Sequence, residues 1–199
     1  MDILELIKGR KTIRKYQGKP IPREIIDKII EAGIWGPSVP SFLMIQPWRF
    51  VVIEDKKIKK EITEIILKKS KEIGAGANIL LSSSGRIIDS APIVIMIYNS
   101  GDLKKLESKY KVVYDKFGEI IPRAELSAIS ATIQNMILVA EGLGVSSCWL
   151  DTPLFCKDEI NQLLKAEDEL IAVLTLGYRA EEGKRCQRKP FSEMVSFVK

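Results

Sequence analysis

Four polar residues, Arg10, Lys11, Thr12 and Arg14, crowd into one short stretch near the start of the chain. Two planar forks of donors, a point charge and a hydroxyl at that spacing suit a phosphate group. They equally suit a solvated helix end whose cations complement the helix dipole. The tail adds Lys184, Arg185, Arg188 and Lys189, which is either a second contact to such an anion or a solvated terminus. Neither GxGxxG nor GxxxxGK[ST] occurs, so a phosphate here would be gripped by side chains rather than by a glycine-rich loop. A stiff loop, Gly36-Pro37-Ser38-Val39-Pro40 followed by Gln46-Pro47-Trp48, offers Ser38 and Gln46 to the polar edge of a planar ring. Ser146 to Pro153 lies at the C-terminal end of an expected strand, a favoured place for ligands. Within it, Cys148 reads as a small buried hydrophobe and Trp149 as a core residue rather than a stacking platform.

The absences are as informative. There is no histidine, which excludes Ser-His-Asp and Cys-His devices, His-ligated metals and the usual acid/base at neutral pH. The three cysteines, Cys148, Cys156 and Cys186, form no CxxC pair and argue against both a disulfide framework and a structural zinc site. If the chain is an enzyme, its hard chemistry falls to a bound organic cofactor. The net charge of +5, from 31 basic and 26 acidic side chains, is not gathered into a basic tract with interleaved aromatics, so nucleic acid is not favoured as a partner. The run Lys56, Lys57, Lys59 and Lys60 reads as a solvated helix face. No stretch approaches the ~18 apolar residues of a membrane span, and the N-terminal residues show no secretory pattern, so the expectation is a cytoplasmic protein.

Stepping along the chain, helical spacing covers residues 2–9 and 22–35, the latter opened by Pro22. Residues 36–47 form a loop and 48–53 a strand; 56–73 form an amphipathic helix. Residues 74–85, with three glycines and three consecutive serines, read as an exposed mobile loop. The apolar run 91–98 predicts a strand buried on both faces. Residues 122–143 predict the longest helix, apolar around much of its circumference and therefore central or in an interface, ended by Gly144. Strands over 145–150 and 170–177 flank a helix over 157–165, and the tail after Pro190 has strand character without a local partner. The order predicts one α+β domain spanning residues 1–199, with no repeat and no linker.

Five segments, RKTIRKY (10–16), WGPS with QPWRFVVI (35–53), DSAPIVIMI (89–97), ATIQNMILVAEGLGVSSCWL (131–150) and LGYRAEEGKRCQRKP (176–190), together make the chain resemble the nitroreductase family of FMN enzymes. The TPLFC wording at 152–156 is similar to the branch formed by the nitroreductase-like domain of deazaflavin-cofactor ligases. The resemblance implies a nitroreductase-like α+β sandwich: a central, mostly antiparallel sheet flanked by helices, with a C-terminal arm crossing to the partner subunit. It implies that Arg10, Lys11, Thr12 and Arg14 meet the FMN phosphate, ribityl chain and pyrimidine edge. Pro37, Ser38, Val39 and Gln46 would be the loop that a second subunit lays against the flavin. Ser83 and Arg86 would reach the pyrimidine end, Leu150, Asp151 and Thr152 would face N5 with their backbone, and Arg188 would meet the phosphate.

Two features depart from the family's pattern. Members commonly write PSxxNxQPW, whereas this chain has the longer PSVPSFLMIQPW with Met44 in the place of Asn, which implies a more apolar pocket. Many members carry Gly where Asp151 stands, and its carboxylate is expected to point to solvent.

The implied function is an FMN-dependent oxidoreductase passing hydride from NAD(P)H through bound flavin to an electron-poor small molecule such as a nitro compound or quinone. It would work as a homodimer with FMN at the interface, and no catalytic side chain is named. The alternatives are a specialised relative of the flavin destructase or reductive dehalogenase type, for which 74–85 is the candidate lid, a non-catalytic flavin-binding module, and a basic nucleic-acid binder.

Overall fold

The computed structural model describes residues 2–40, 43–74, 76–106, 109–111, 115–116 and 118–198. Ser41 and Phe42 of the expected loop and Ala75 of the Gly/Ser stretch lie outside the described residues. The elements in chain order are α1 (Ile3–Gly9), α2 (Arg23–Ile34), β1 (Trp48–Ile53), α3 (Lys56–Ile73), α4 (Ala77–Ser90), β2 (Ile93–Asn99), α5 (Ile120–Gly142), β3 (Ser146–Leu150), α6 (Lys157–Leu164), β4 (Glu169–Gly177) and α7 (Phe191–Met194).

The four strands form one antiparallel sheet in the order β1-β2-β4-β3. β2 and β4 occupy the middle, which is why they are the near-continuous apolar runs. Side chains alternate across β2: Ile93, Ile95 and Ile97 face α2 and α5, while Val94, Met96 and Tyr98 face α3, α4 and α6. Each is almost fully buried, and each fully buried isoleucine contributes roughly 1.5–3 kcal/mol. Asp55 starts α3 by accepting from the amides of Lys57 and Ile58 at 2.6 and 3.1 Å.

Four expectations need correction. Residues 77–90 form a helix and not a loop. Ser82 and Ser84 donate to the carbonyls of Ile79 and Leu80 of their own helix, and the Gly85 carbonyl accepts from Thr63 Oγ1 of α3 at 3.1 Å. Lys59 is not on a solvated face: it is buried, and its ammonium donates to the carbonyls of Ala91 at 2.7 Å and Pro92 at 3.1 Å. Desolvation there lowers its pKa. The tail after Pro190 forms the short helix α7 and then an exposed segment, with no strand among its described residues. α5 begins at Ile120 and not at Pro122, since a proline is tolerated in a first helical turn.

α5 is central as expected. It buries Ala128, Ile129, Thr132, Ile133, Met136, Ile137 and Ala140, while Ile120 and Leu126 stay exposed. Among the described residues no helix is long and apolar enough to cross a membrane.

Candidate functional site

After α1 the chain runs extended beside β3. Ile13 donates its amide to Ser147 at 3.0 Å, and Thr12 pairs with Ser147 as an isolated parallel bridge. Ile13 is buried, and Tyr16 is pinned by its hydroxyl, which donates to the carbonyl of Ile13 and bonds Thr175 Oγ1, each at 2.8 Å. Burial pushes the Tyr16 phenol well above its ordinary pKa, so it stays protonated. A Cβ on Gly177 would meet the Tyr16 ring, so glycine there is what seats the tyrosine. With Ile13 and Tyr16 turned in, Thr12, Arg14 and Lys15 are left to line a cleft.

That cleft, of about 720 Å³, is walled by the 12–15 segment, by α4 and by the tail. α4 presents Ser83, Arg86, Ile87 and Ser90, spaced so that they share one helix face. The tail folds back along the same segment: Gln17 donates its amide to Tyr178 at 2.8 Å, and Ala180 donates to Lys15 at 2.9 Å. It then turns over Ile13 at Gly183, whose φ of 66° sits in the left-handed region and whose missing side chain leaves room for Ile13 Cδ1. Glu181, Glu182 and Lys184 complete the wall.

A smaller cleft of about 300 Å³ adjoins it, and the two share Thr12 and Lys184. Its charged lining is wholly cationic: Lys8, Arg10, Lys11, Lys184, Arg185 and Arg188. Two of these cations also tie the walls together. Lys11 donates to the carbonyl of Glu182 at 2.9 Å, and Arg185 donates to that of Lys8 at 2.8 Å. The clefts form one trough with a strongly positive narrow end and a wide end of mixed charge.

The structure therefore splits the expected contacts. Arg10, Lys11 and Arg188 line the narrow end, Arg14, Ser83 and Arg86 the wide end, and Thr12 both. Leu150 is buried in the core facing α3 and α4. Asp151 Oδ1 accepts from Trp149 Nε1 at 2.6 Å, so its exposed carboxylate is folded back on its own strand. Thr152 is joined to the cleft helix by a hydrogen bond between its hydroxyl and that of Ser84. Leu150, Asp151 and Thr152 line neither of these two clefts. The Pro37–Val39 loop lies apart from the trough: Val39 packs on the α2/α5 side of the core and donates its amide to Ile45 at 2.8 Å. Gln46 lines a separate groove beside β1 with Ile30, Ile34 and Trp48.

Sequence reasoning missed Lys15, Ile87, Ser90, Glu181 and Glu182 as wall residues. The signal for two of them was present: Ser83, Arg86, Ile87 and Ser90 repeat at helical spacing once 77–90 is read as a helix.

A profile described as "Nitroreductase family" matches residues 7–178, which includes β1 to β4 and the Arg10–Tyr16 segment. The chain belongs to the nitroreductase family. A Methanothermobacter thermautotrophicus protein assigned as an NADH dehydrogenase/NAD(P)H nitroreductase is 30% identical over 185 residues, covering 91% of this chain and 79% of that protein. An iodotyrosine deiodinase from Nematostella vectensis is 30% identical over 203 residues, covering 95% of this chain and 72% of the relative. A BluB-like flavoprotein from Clostridium difficile 630 superposes with a TM-score of 0.79 at 27% identity, each chain covered in full (100%).

In this nitroreductase-family chain, the cysteine midway along β3 is a core residue. Cys148 is buried and its thiol is pushed up to about 11 by desolvation, which fits packing rather than nucleophilic chemistry. Met44, by contrast, is exposed and in the left-handed region at φ 50°, and it lines neither cleft of the trough.

Proposed function

We propose that the trough binds FMN and that the chain is an FMN-dependent oxidoreductase, passing hydride from NAD(P)H through the bound flavin to an electron-poor acceptor such as a nitro compound or quinone. The observation that carries this reading is the charge layout: a wholly cationic narrow end opens into a wider, mixed and partly apolar one. A molecule with a phosphate at one end and a polar ring system at the other matches both halves. The wide cleft, at about 720 Å³, falls within the roughly 300–1,000 Å³ of small-molecule sites.

Arg10, Lys11, Lys184 and Arg188 would hold the phosphate, and Arg14, Ser83 and Arg86 the pyrimidine end. The bound flavin would supply the two-electron chemistry, which asks of the protein no nucleophile and no histidine. The chain's own part would be to orient the ring and to hold positive charge beside it through Arg14 and Arg86. Support also comes from family membership and from the flavoprotein and NAD(P)H nitroreductase relatives.

The loop carrying Pro37, Ser38 and Val39 would complete the site of a second copy, making the protein a homodimer. Large apolar side chains stand in solvent on one chain, among them Trp35, Phe191, Phe197 and Val198, at 79%, 71%, 77% and 100% exposure. Soluble monomers rarely tolerate so much exposed apolar surface. Light scattering at low micromolar concentration should return about twice the 22.4 kDa chain mass, and a monomer that still holds FMN would sink the shared site.

A second reading, reductive dehalogenation, is favoured by the iodotyrosine deiodinase relative. One anaerobic experiment separates the two. Purified protein should show a flavin band that NADH or NADPH bleaches. A nitroaromatic or quinone that restores the band supports the first reading. Iodide release from an iodophenol by the reduced protein, with nitroaromatics inert, would select the second. A colourless protein that takes up no FMN would refute both.

A further inference from the structure

Glu181 lines the wide cleft together with four cationic residues, Arg14, Lys15, Arg86 and Lys184. A negative group is unexpected in a site read as taking an anionic ligand, and its contacts explain it. Neighbouring amides of an extended segment point to opposite sides. The amide of Ile13 is spent on Ser147 of β3, so the next one, from Arg14, points away from the sheet. Among the described residues no strand of the sheet receives it. Glu181 Oε1 accepts it at 2.7 Å, across 167 positions of sequence. The bonds on either side are main-chain ones, Ile13 to Ser147 and Ala180 to Lys15. The Glu181 side chain thus supplies the tie that a missing strand would have made, at the residue whose guanidinium lines the cleft.

We propose that Glu181 is a positioning residue of the wide end: it fixes the main chain at Arg14 and so sets where the Arg14 side chain meets the ring end of the ligand. The inference rests on the flavin reading for the identity of that ligand, and on geometry alone for the tie. Acceptance of the Arg14 amide is the working property. A glutamine, which keeps an acceptor oxygen and loses the charge, therefore substitutes for Glu181, and an alanine does not. Because Arg14 lies in the wide cleft and Arg188 in the narrow one, losing the tie affects ligands with and without a phosphate alike.

The test uses the purified protein freed of flavin, as wild type, Glu181→Ala, Glu181→Gln and Arg188→Ala, titrated with FMN and with riboflavin by fluorescence quenching. Amide hydrogen exchange at Arg14 is followed in the same ligand-free proteins. Glu181→Ala should weaken FMN and riboflavin by a common factor of about fivefold, in keeping with one lost hydrogen bond. Glu181→Gln should stay within about twofold of wild type, a small part of one such bond. Arg188→Ala should weaken FMN and leave riboflavin unchanged. The Arg14 amide should exchange faster in Glu181→Ala and as in wild type in Glu181→Gln. Glu181→Gln as weak as Glu181→Ala would overturn the positioning role, as would Glu181→Ala weakening FMN alone. An Arg14 amide equally protected in wild type and Glu181→Ala would overturn the tie whatever the flavin result. Wild-type protein that binds neither flavin, with the amide behaving as expected, would instead overturn the flavin reading and leave the tie standing.

Discussion

The two ends of the trough are built by different means. The wide end leans on the scaffold: α4 is locked to α3 through Gly85 and Thr63, and Tyr16 is bolted to β4 through Thr175. The narrow end leans on nothing so firm. Its walls are the last turn of α1 and the exposed tail, held to each other by Lys11 and Arg185 reaching opposite carbonyls. One end is shaped by packing and would keep its form without a ligand. The other is a gathering of like charges, which repel until an anion arrives. Geometry is thus concentrated where a ring would be oriented, and charge where a phosphate would be caught.

The strongest way to break this comparison is to unseat the wide end. A Cβ on Gly177 would lie 2.5 Å from Tyr16 Cδ1 and 2.8 Å from Pro92 Cδ. Gly177→Val should therefore cost about 3 kcal/mol of stability, at the upper end of overpacking penalties. It should also release the 12–16 segment from β3. Denaturant midpoints and flavin content should fall together; a loss of stability with full flavin retention would mean that Tyr16 does not support the site.

A smaller effect, of pH, belongs to the sheet beneath that end. The Cys148 thiol is pushed up by burial from an ordinary value near 9 to about 11. A group raised in the folded state contributes stability that is complete below its unfolded value and is lost as pH climbs through the folded one. Two units correspond to at most about 3 kcal/mol, lost between about pH 9 and 11. Cys148→Ala should show a shallower alkaline decline in urea midpoints across that window, and an unchanged decline would rule out Cys148 as its source.

The narrow end should answer to salt. Arg188→Ala removes one charge-assisted contact and should weaken FMN about tenfold or more, roughly 1.5–3 kcal/mol, with the deficit shrinking as ionic strength rises. Arg14→Ala, at the better-packed end, should lose affinity with less dependence on salt. Equal salt slopes for the two variants would erase the proposed division of labour.

How much of this was legible beforehand depended on where the information sits. The core strands announced themselves, because β2 and β4 are buried on both faces and are almost wholly apolar. Arg10 to Arg14 and Arg188 could be picked out as an anion site, and the structure brings Arg10, Lys11 and Arg188 to one cleft from opposite ends of the chain. α4 was hidden because Ser82, Ser83, Ser84 and Gly85 carry loop character locally; their helicity depends on packing against α3, which no local pattern records. Lys59 was hidden the same way, its partners being carbonyls more than thirty positions on. Glu181 was out of reach in principle, since its role comes from one unpaired amide at Arg14. Ser38 and Gln46 were picked out from the stiff loop itself and Pro37 and Val39 from resemblance; within one chain the loop and Gln46 lie away from the trough.

The most direct test is a crystal structure of the protein grown with FMN. The account predicts the phosphate in the narrow cleft against Arg10 and Arg188, the pyrimidine edge against Arg14 and Arg86, and the Pro37–Val39 loop of a second copy over the ring. Flavin bound in the groove beside Gln46 and Trp48, or a phosphate away from Arg10 and Arg188, would contradict it.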